Sequence, residues 1–185
     1  MTDNIAKSIA KLLKRKGTSK NNGLKVPGEF THRQFASRIV IHPTSSTPQK
    51  NWSRDKYLAL ADMLRKLGYT VTFVVGPHEA KDWKEATVFA NLHTLATFIY
   101  ESGYLIGNDS LLGHLASNLN IPTLIISDNR TRMHMWRPGW LKGEVLTPPS
   151  WLPNMKFLRL RENHWQKFIS PRAVLSAFDN LTRSL

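Results

Sequence analysis

The sequence contains no cysteine. It can therefore form no disulfide framework, and it offers no thiolate as a metal ligand or a nucleophile. It also lacks an apolar run of about eighteen residues or more, so no transmembrane helix is predicted. The first residues lack the apolar core and cleavage site of a secretory signal. We therefore expect a cytoplasmic protein, and the 185 residues fit one ordinary domain.

Acidic residues are scarce. The chain has 13 Asp and Glu against 26 Lys and Arg, which gives a net charge of +13. A protein this basic favours phosphate-bearing partners: a nucleotide, a nucleic acid or an anionic membrane surface. No nucleic-acid-binding motif is present, so a nucleic-acid partner is the least favoured of the three.

Several chemical motifs are also missing. The chain has neither the Walker-type nor the Gly-x-Gly-x-x-Gly phosphate loop, and no Gly-x-Ser-x-Gly elbow for a nucleophilic serine. Its seven histidines show no zinc-type spacing. We accordingly predict no metal site.

The basic charge is concentrated near the start of the chain. Within residues 4–16, Ile5, Ile9, Leu12 and Leu13 fall at helical spacing, with lysines largely elsewhere. This pattern predicts a basic amphipathic helix, which either lies on an anionic membrane surface or packs on its own domain. Residues 17–37 are rich in turn-forming residues and read as a linker. The domain itself is predicted over residues 38–185.

The remainder of the chain alternates between strand and helix patterns. Strands are predicted at 38–42, 69–75, 104–107 and 122–127, with helices at 54–67, 92–102, 110–119 and 171–183. A short helix near 79–84 and a weak strand near 86–90 are also predicted. Residues 128–153 read as a loop-rich segment whose tryptophans either wall the site or pin the segment to the core. This alternation predicts an α/β fold with a doubly wound parallel sheet.

Polar residues follow three of the predicted strands, and in a parallel sheet such strand ends share one edge, where ligands bind. The candidate ligand-binding residues are Thr44, Ser45, Ser46, Lys50, Gly76, Glu79, Asp109, Ser110, Leu111, Leu112, Gly113 and His114.

Together these groups suit a nucleotide diphosphate. The hydroxyls and the amides that open the helix after Asp109 can donate to phosphate oxygens, and Lys50 can neutralise their charge. Glu79 can accept from a ribose hydroxyl pair. Each residue also has an ordinary structural explanation: hydroxyls bond their own backbone, Lys50 is solvated, Asp109 caps a helix.

Four stretches resemble one family. They are His42-Pro43-Thr44-Ser45 with Lys50-Asn51-Trp52-Ser53, then Gly76-Pro77-His78-Glu79, then Gly107-Asn108-Asp109-Ser110 with His114-Leu115-Ala116, and Trp136-Arg137-Pro138. In this order they are similar to the motifs of glycosyltransferase family 9, the ADP-heptose:lipopolysaccharide heptosyltransferases. The resemblance covers roughly residues 38–183.

The resemblance implies the carboxyl-terminal, donor-binding half of a GT-B fold, which is Rossmann-like. Thr44, Ser45 and Lys50 would then meet the diphosphate of an ADP-sugar, Glu79 the ribose, and the Asp109–His114 turn the phosphates. No cofactor is implied beyond this donor substrate, which serves lipopolysaccharide core synthesis at the inner face of the inner membrane.

The family's catalytic base is an aspartate of the amino-terminal domain, for which residues 1–37 are too short. No catalytic residue is therefore predicted here. The chain is expected to be a donor-binding half alone: a fragment, a truncated gene product, or one chain of a split enzyme whose partner chain carries the amino-terminal half. The alternative is a non-enzymatic basic module that keeps the fold and binds a partner protein or an anionic membrane.

Two residues depart from the family pattern. Leu111 stands where the family usually has glycine, and Thr44 stands where glycine usually follows His-Pro. A Cβ at position 111 would crowd a phosphate that approaches the backbone.

Overall fold

A computed structural model describes residues 10–15, 23–24, 28–149 and 164–185. It contains a five-stranded sheet in the order β2-β1-β3-β4-β5, and all of the strand pairs are parallel. The strands are β1 (Phe35–His42), β2 (Thr70–Phe73), β3 (Ser102–Asn108), β4 (Thr123–Ile126) and β5 (Glu144–Leu146). The helices are α1 (Arg54–Lys66), α2 (Leu92–Tyr100), α3 (Leu111–Asn118), α4 (Arg130–Trp136) and α5 (Pro171–Arg183).

Side chains that alternate between the two faces of each strand form a hydrophobic core on each side of the sheet. Successive side chains of a strand point to opposite faces. Ile39 and Ile41 of β1 pack with α1 and α5, whereas Val40 between them packs with α2 and α3. Helices thus cover both faces, which explains why the strands are near-continuous apolar runs. The predicted α/β class and doubly wound parallel sheet are confirmed.

The strand order sets where a ligand can enter. The chain passes from β1 outward to β2, then returns across β1 to β3 and continues through β4 to β5. The connections therefore leave β1 and β3 in opposite directions, which opens a crevice between their carboxyl ends. Gly107 lets these two strands approach closely, because a Cβ there would lie 2.6 Å from the His42 carbonyl oxygen.

Some predicted elements need correction. No helix spans 79–84 and no strand spans 86–90: the chain forms successive turns, with one isolated bridge between Val74 and Thr87. The segment predicted as loop-rich contains α4 and β5, which are too short for periodicity to reveal. Asn129 begins α4 by accepting from the Arg132 backbone N–H at 2.8 Å. Trp151 lies outside the described residues.

The start of the chain is described only in part. Residues 10–12 are helical, in agreement with the helix predicted over 4–16, but residues 13 and 14 form a turn and residue 15 is not helical. The other residues of the predicted helix lie outside the described ranges. β1 begins at Phe35, three residues earlier than predicted, because the Phe35 N–H reaches the Glu101 carbonyl at 2.8 Å. Within the described residues, no helix is long and apolar enough to cross a membrane.

Candidate functional site

A cavity of about 510 Å³ opens at the carboxyl edge of the sheet. The loops after β1, β2 and β3 meet there with the segment that enters α2. Its lining residues are His42, Ser45, Ser46, Val74, Val75, Gly76, Pro77, Glu79, Phe89, Ala90, Asn91, Leu92, Leu95, Ser110, Leu111 and Leu112. The three polar strand ends that the sequence singled out therefore converge on one pocket.

Seven of the twelve predicted site residues line this pocket: Ser45, Ser46, Gly76, Glu79, Ser110, Leu111 and Leu112. The other five, Thr44, Lys50, Asp109, Gly113 and His114, are not among its lining residues. Thr44 is buried, and its hydroxyl has no hydrogen-bond partner among the residues that the structure describes. Lys50 ends the short 3-10 helix Pro48–Lys50 beside the pocket loop.

Asn108 fastens the β1 loop to the end of β3. It is fully buried, and its Oδ1 accepts from the Trp52 backbone N–H and from the Tyr57 hydroxyl, both at 3.0 Å. Its Nδ2 donates to the Pro43 carbonyl at 2.6 Å. Burial raises the pKa of Tyr57 well above its ordinary value, so this hydroxyl stays a donor. One side chain thus ties both ends of this loop, Pro43 and Trp52, to the end of β3.

In the loop after β1, the Ser45 hydroxyl donates its proton to another residue of the same loop. Its Oγ lies 2.8 Å from Asn51 Oδ1 and 3.0 Å from the Thr47 carbonyl, and a hydroxyl has only one proton to donate. Its oxygen can accept from a ligand but does not donate to a phosphate in this arrangement. Ser46 is exposed at the same loop and is the better placed donor.

The turn after β2 holds a carboxylate at the pocket wall. Glu79 Oε2 accepts from the Gly76 N–H at 2.7 Å. A Cβ at Gly76 would lie 3.1 Å from that same oxygen, which is tighter than an ordinary contact. Because a carboxylate has about four acceptor positions, Glu79 keeps capacity for a pair of ligand hydroxyls.

His42 is a lining residue to which the sequence gave no role. Its Nδ1 donates to the Val74 carbonyl at 2.8 Å, so Nε2 is left as an acceptor. Burial lowers the pKa of His42 below its ordinary value, against the smaller opposing effects of the Val74 hydrogen bond and the Glu79 charge. The ring is therefore a neutral acceptor at the pocket at neutral pH.

This lowered pKa predicts how stability varies with pH. Between the folded pKa and the ordinary value of 6.5, the unfolded chain binds a proton at His42 that the folded chain does not. Acidification from about pH 7 to 5 should therefore lower the melting temperature, and His42→Asn, which keeps a donor for the Val74 carbonyl, should flatten that dependence. Melting curves over this range test it. His93→Asn, at an exposed histidine, is the control and should leave the slope unchanged.

The start of α3 supplies donors to the pocket. Ser110 is the residue that precedes the helix; its hydroxyl oxygen is buried and, within the described part of the chain, has no hydrogen-bond partner. The first-turn N–H groups of a helix also have no partner within the helix, so together they suit an anion. Leu111, the first helical residue, is 65% exposed and lines the pocket. Its side chain therefore stands at the approach to these donors.

Gly113 serves helix packing. A Cβ there would lie 2.6 Å from Ile125 Cδ1 and 3.3 Å from Pro138 Cγ. The missing side chain thus lets α3 approach β4. His114 is half-buried on the same helix, and its carbonyl accepts from Asn118 Nδ2 at 2.8 Å.

Asp109 is engaged by a cation that sequence reasoning missed. Arg132 of α4 donates through Nε to Asp109 Oδ2 at 2.8 Å and through Nη2 to Asp128 Oδ1. These two aspartates follow β3 and β4, so the ion pairs join neighbouring strand ends. The interpretation of Asp109 as a simple helix cap is not what the structure shows, because Ser110 occupies that position.

The family model described as glycosyltransferase family 9 (heptosyltransferase) matches residues 12–139, more than half of the chain. The chain belongs to glycosyltransferase family 9. This membership confirms the family to which the sequence motifs were compared, and it supports a glycosyltransferase function. No curated protein matches the chain by sequence.

Solved glycosyltransferase structures share the fold of this family 9 chain. A family 9 glycosyltransferase from Veillonella parvula matches with a TM-score of 0.68 and 19% identity, over 97% of this chain and 51% of that one. Escherichia coli heptosyltransferase WaaC with ADP matches with a TM-score of 0.63 and 16% identity, over 83% and 46%. E. coli ADP-heptose lipopolysaccharide heptosyltransferase II matches with a TM-score of 0.62 and 19% identity, over 89% and 50%.

At these identities the likeness shows the fold alone. The chain spans about half the length of the solved structures it matches. The five-stranded parallel sheet corresponds to the Rossmann-like architecture of GT-B glycosyltransferases, as the motifs implied.

The apolar wall of this family 9 pocket escaped sequence reasoning. Phe89 and Ala90 precede Asn91, whose side chain caps α2 by accepting from the Thr94 N–H at 2.9 Å, and Leu92 and Leu95 follow on the first turns. Leu92 is 56% exposed although it lines the pocket. The sequence signal that could have revealed this wall is Asn91. An asparagine is a preferred helix cap, so it predicts that another helix begins after the second strand, at the carboxyl edge of the sheet.

Proposed function

We propose that this chain binds a nucleotide-sugar donor, ADP-heptose in particular, as the carboxyl-terminal half of a GT-B glycosyltransferase of lipopolysaccharide core synthesis. The observation that carries the proposal is the convergence of the β1, β2 and β3 loops on a single pocket at the crevice between β1 and β3. Family membership supports it, as do the ADP in the WaaC structure and the ADP-2-deoxy-2-fluoro heptose in another WaaC structure.

The lining suggests how the donor would lie. The base would rest on the apolar wall formed by Phe89, Leu92 and Leu95, which an aromatic ring can cover. The ribose hydroxyls would donate to Glu79. The diphosphate would extend toward Ser46, Ser110 and the first-turn amides of α3, with Lys50 as the nearby cation.

Transfer would be a direct displacement at the anomeric carbon with inversion. A base of a second, amino-terminal Rossmann-like domain would take the proton of the acceptor hydroxyl while the new carbon–oxygen bond forms. The bond from the anomeric carbon to the diphosphate would break, and ADP would leave with the electron pair. Lys50 and the start of α3 would stabilise that charge, so no metal is required.

Calorimetry with ADP tests the proposed binding. We expect a dissociation constant on the order of micromolar to millimolar.

Glu79→Gln keeps an acceptor for the Gly76 N–H but weakens the ribose contact, so it should reduce the preference for ADP over its 2′,3′-dideoxy analogue. Lys50→Ala should weaken ADP binding. Glu85→Ala, which removes a surface partner of Arg54, is the control and should change neither. Absence of heat at millimolar ADP would refute the binding claim.

A second candidate function is attachment to an anionic membrane surface through the start of the chain. Leu12 and Leu13 are 81% and 64% exposed, and their neighbours Lys11, Lys14 and Arg15 are exposed as well. At an anionic bilayer, exposed leucines can bury their apolar side chains in the interface while the neighbouring cations are attracted to the lipid headgroups.

Flotation with phosphatidylserine vesicles measures this attachment. Leu12→Ser with Leu13→Ser should reduce the floated fraction severalfold, because the buried apolar area is lost. Leu67→Ser, at another exposed leucine that is 62% accessible, should leave it unchanged. Equal flotation of all three proteins, or none at all, would rule out the membrane function.

A further inference from the structure

Three side chains form an ion-pair cluster directly beside the start of α3. Arg132 binds Asp109 and Asp128 together, and their side chains are 27%, 13% and 23% exposed. The Asn129 side chain, which accepts from the Arg132 backbone N–H, fixes where the guanidinium leaves α4. The cluster therefore joins the residues that follow β3 and β4.

The charge of this cluster matters to any anion at the pocket. Asp109 immediately precedes Ser110, whose hydroxyl has no partner among the described residues. This hydroxyl and the amides that follow it are the donors that an anion would meet at the start of α3. The described residues that line the pocket include no Lys or Arg, and they do include Glu79. A bare carboxylate at Asp109 would therefore repel a phosphate, since charges interact strongly at partly buried positions.

We propose that Arg132 is a positioning residue for phosphate binding: by neutralising Asp109 and holding it against Asp128, it keeps the donors at the start of α3 available to an anionic ligand. The inference rests on the proposed nucleotide function and deepens it. Arg132 acts through Asp109 and affects only the affinity for the phosphates of a ligand. The affinity for the nucleoside part depends on the apolar wall and on Glu79.

A merely structural tie between β3 and β4 predicts something different. If Arg132 only joined the strands, its loss would weaken the binding of adenosine and ADP alike. If it neutralises Asp109, its loss should affect only the ligand that carries phosphate. Removing the Asp109 charge at the same time should then restore binding.

Calorimetry with ADP and adenosine on full-length variants separates the two. Arg132→Met should weaken ADP binding about fivefold and leave adenosine within about twofold, because the remaining carboxylate repels only the phosphates. Adding Asp109→Asn to Arg132→Met should recover most of the ADP affinity. Arg183→Met breaks the exposed Arg183–Asp179 pair and is the matched control, with no expected change.

Equal losses for both ligands in Arg132→Met, or no recovery in the double variant, would overturn the inference. If Arg132→Met does not fold, the single variant Asp109→Asn tests the inference. This variant should bind ADP more tightly than the wild-type protein, and unchanged or weaker ADP binding contradicts the inference. Failure of the wild-type protein to bind either ligand would instead refute the proposed nucleotide function.

Discussion

Asn108→Ala is expected to lower the free energy of unfolding by roughly 3 kcal/mol, because it leaves the Trp52 N–H, the Tyr57 hydroxyl and the Pro43 carbonyl without partners in the interior. Leaving a buried polar group unpaired is costlier than the hydrogen bond itself is stabilising. For a chain of this length we expect a fall in melting temperature of roughly 10 °C. Urea denaturation and thermal melts measure both.

Asn180→Ala is the matched control for this variant. Asn180 is exposed on α5, where alanine is the better helix former, so the free energy of unfolding should stay the same or rise slightly. Because the Asn108 contacts also hold the β1 loop at the pocket, Asn108→Ala should weaken ADP binding as well. A fall of less than about 1 kcal/mol would show that Asn108 does not fasten this loop.

Leu111→Gly is expected to tighten ADP binding at least tenfold and to leave adenosine binding within about twofold, a change of about 1.4 kcal/mol or more for ADP alone. Leu111 is 65% exposed at the first residue of α3, so its removal opens no hole in the core. It does clear the approach to the first-turn amides, which are the donors available to a diphosphate. Titration calorimetry on folded protein gives both affinities.

Leu92→Gly provides a matched comparison, because Leu92 is also the first residue of a helix, is also exposed and also lines the pocket. It belongs to the apolar wall, so its loss should weaken ADP and adenosine by the same factor. Leu111→Ala should fall between wild type and Leu111→Gly. Identical ADP affinity in wild type and Leu111→Gly would mean that the leucine does not obstruct a phosphate.

Part of the fold and of the candidate site could be predicted from the sequence. The strands could be predicted because buried parallel strands are short apolar runs, as in Leu105 and Ile106 of β3. Their carboxyl ends could be predicted as one edge, because every parallel strand that follows a helix crossover points the same way. This reasoning predicted Ser46, Glu79 and Ser110 as site residues, and all three line the pocket.

Other positions could not be assigned in this way. Gly113 is predicted to contact the ligand because it stands in the phosphate turn, and the structure adds that its missing side chain leaves room for Ile125. Ser45 was expected to donate to phosphate, yet its proton serves Asn51 or Thr47. Both outcomes depend on which neighbour arrives in space, and sequence spacing does not contain that information.

The sequence by itself determined the fold class, the family and the edge of the sheet that bears the pocket, because hydrophobic periodicity and motif order are local properties of the chain. Only the tertiary structure decided which side chains meet there. Phe89 forms the apolar wall and Arg132 binds Asp109 from 23 residues away. Asn108 holds a loop that lies more than 50 residues earlier. Such contacts form only when the sheet brings separate strand ends together, so the spacing of residues in the sequence does not reveal them.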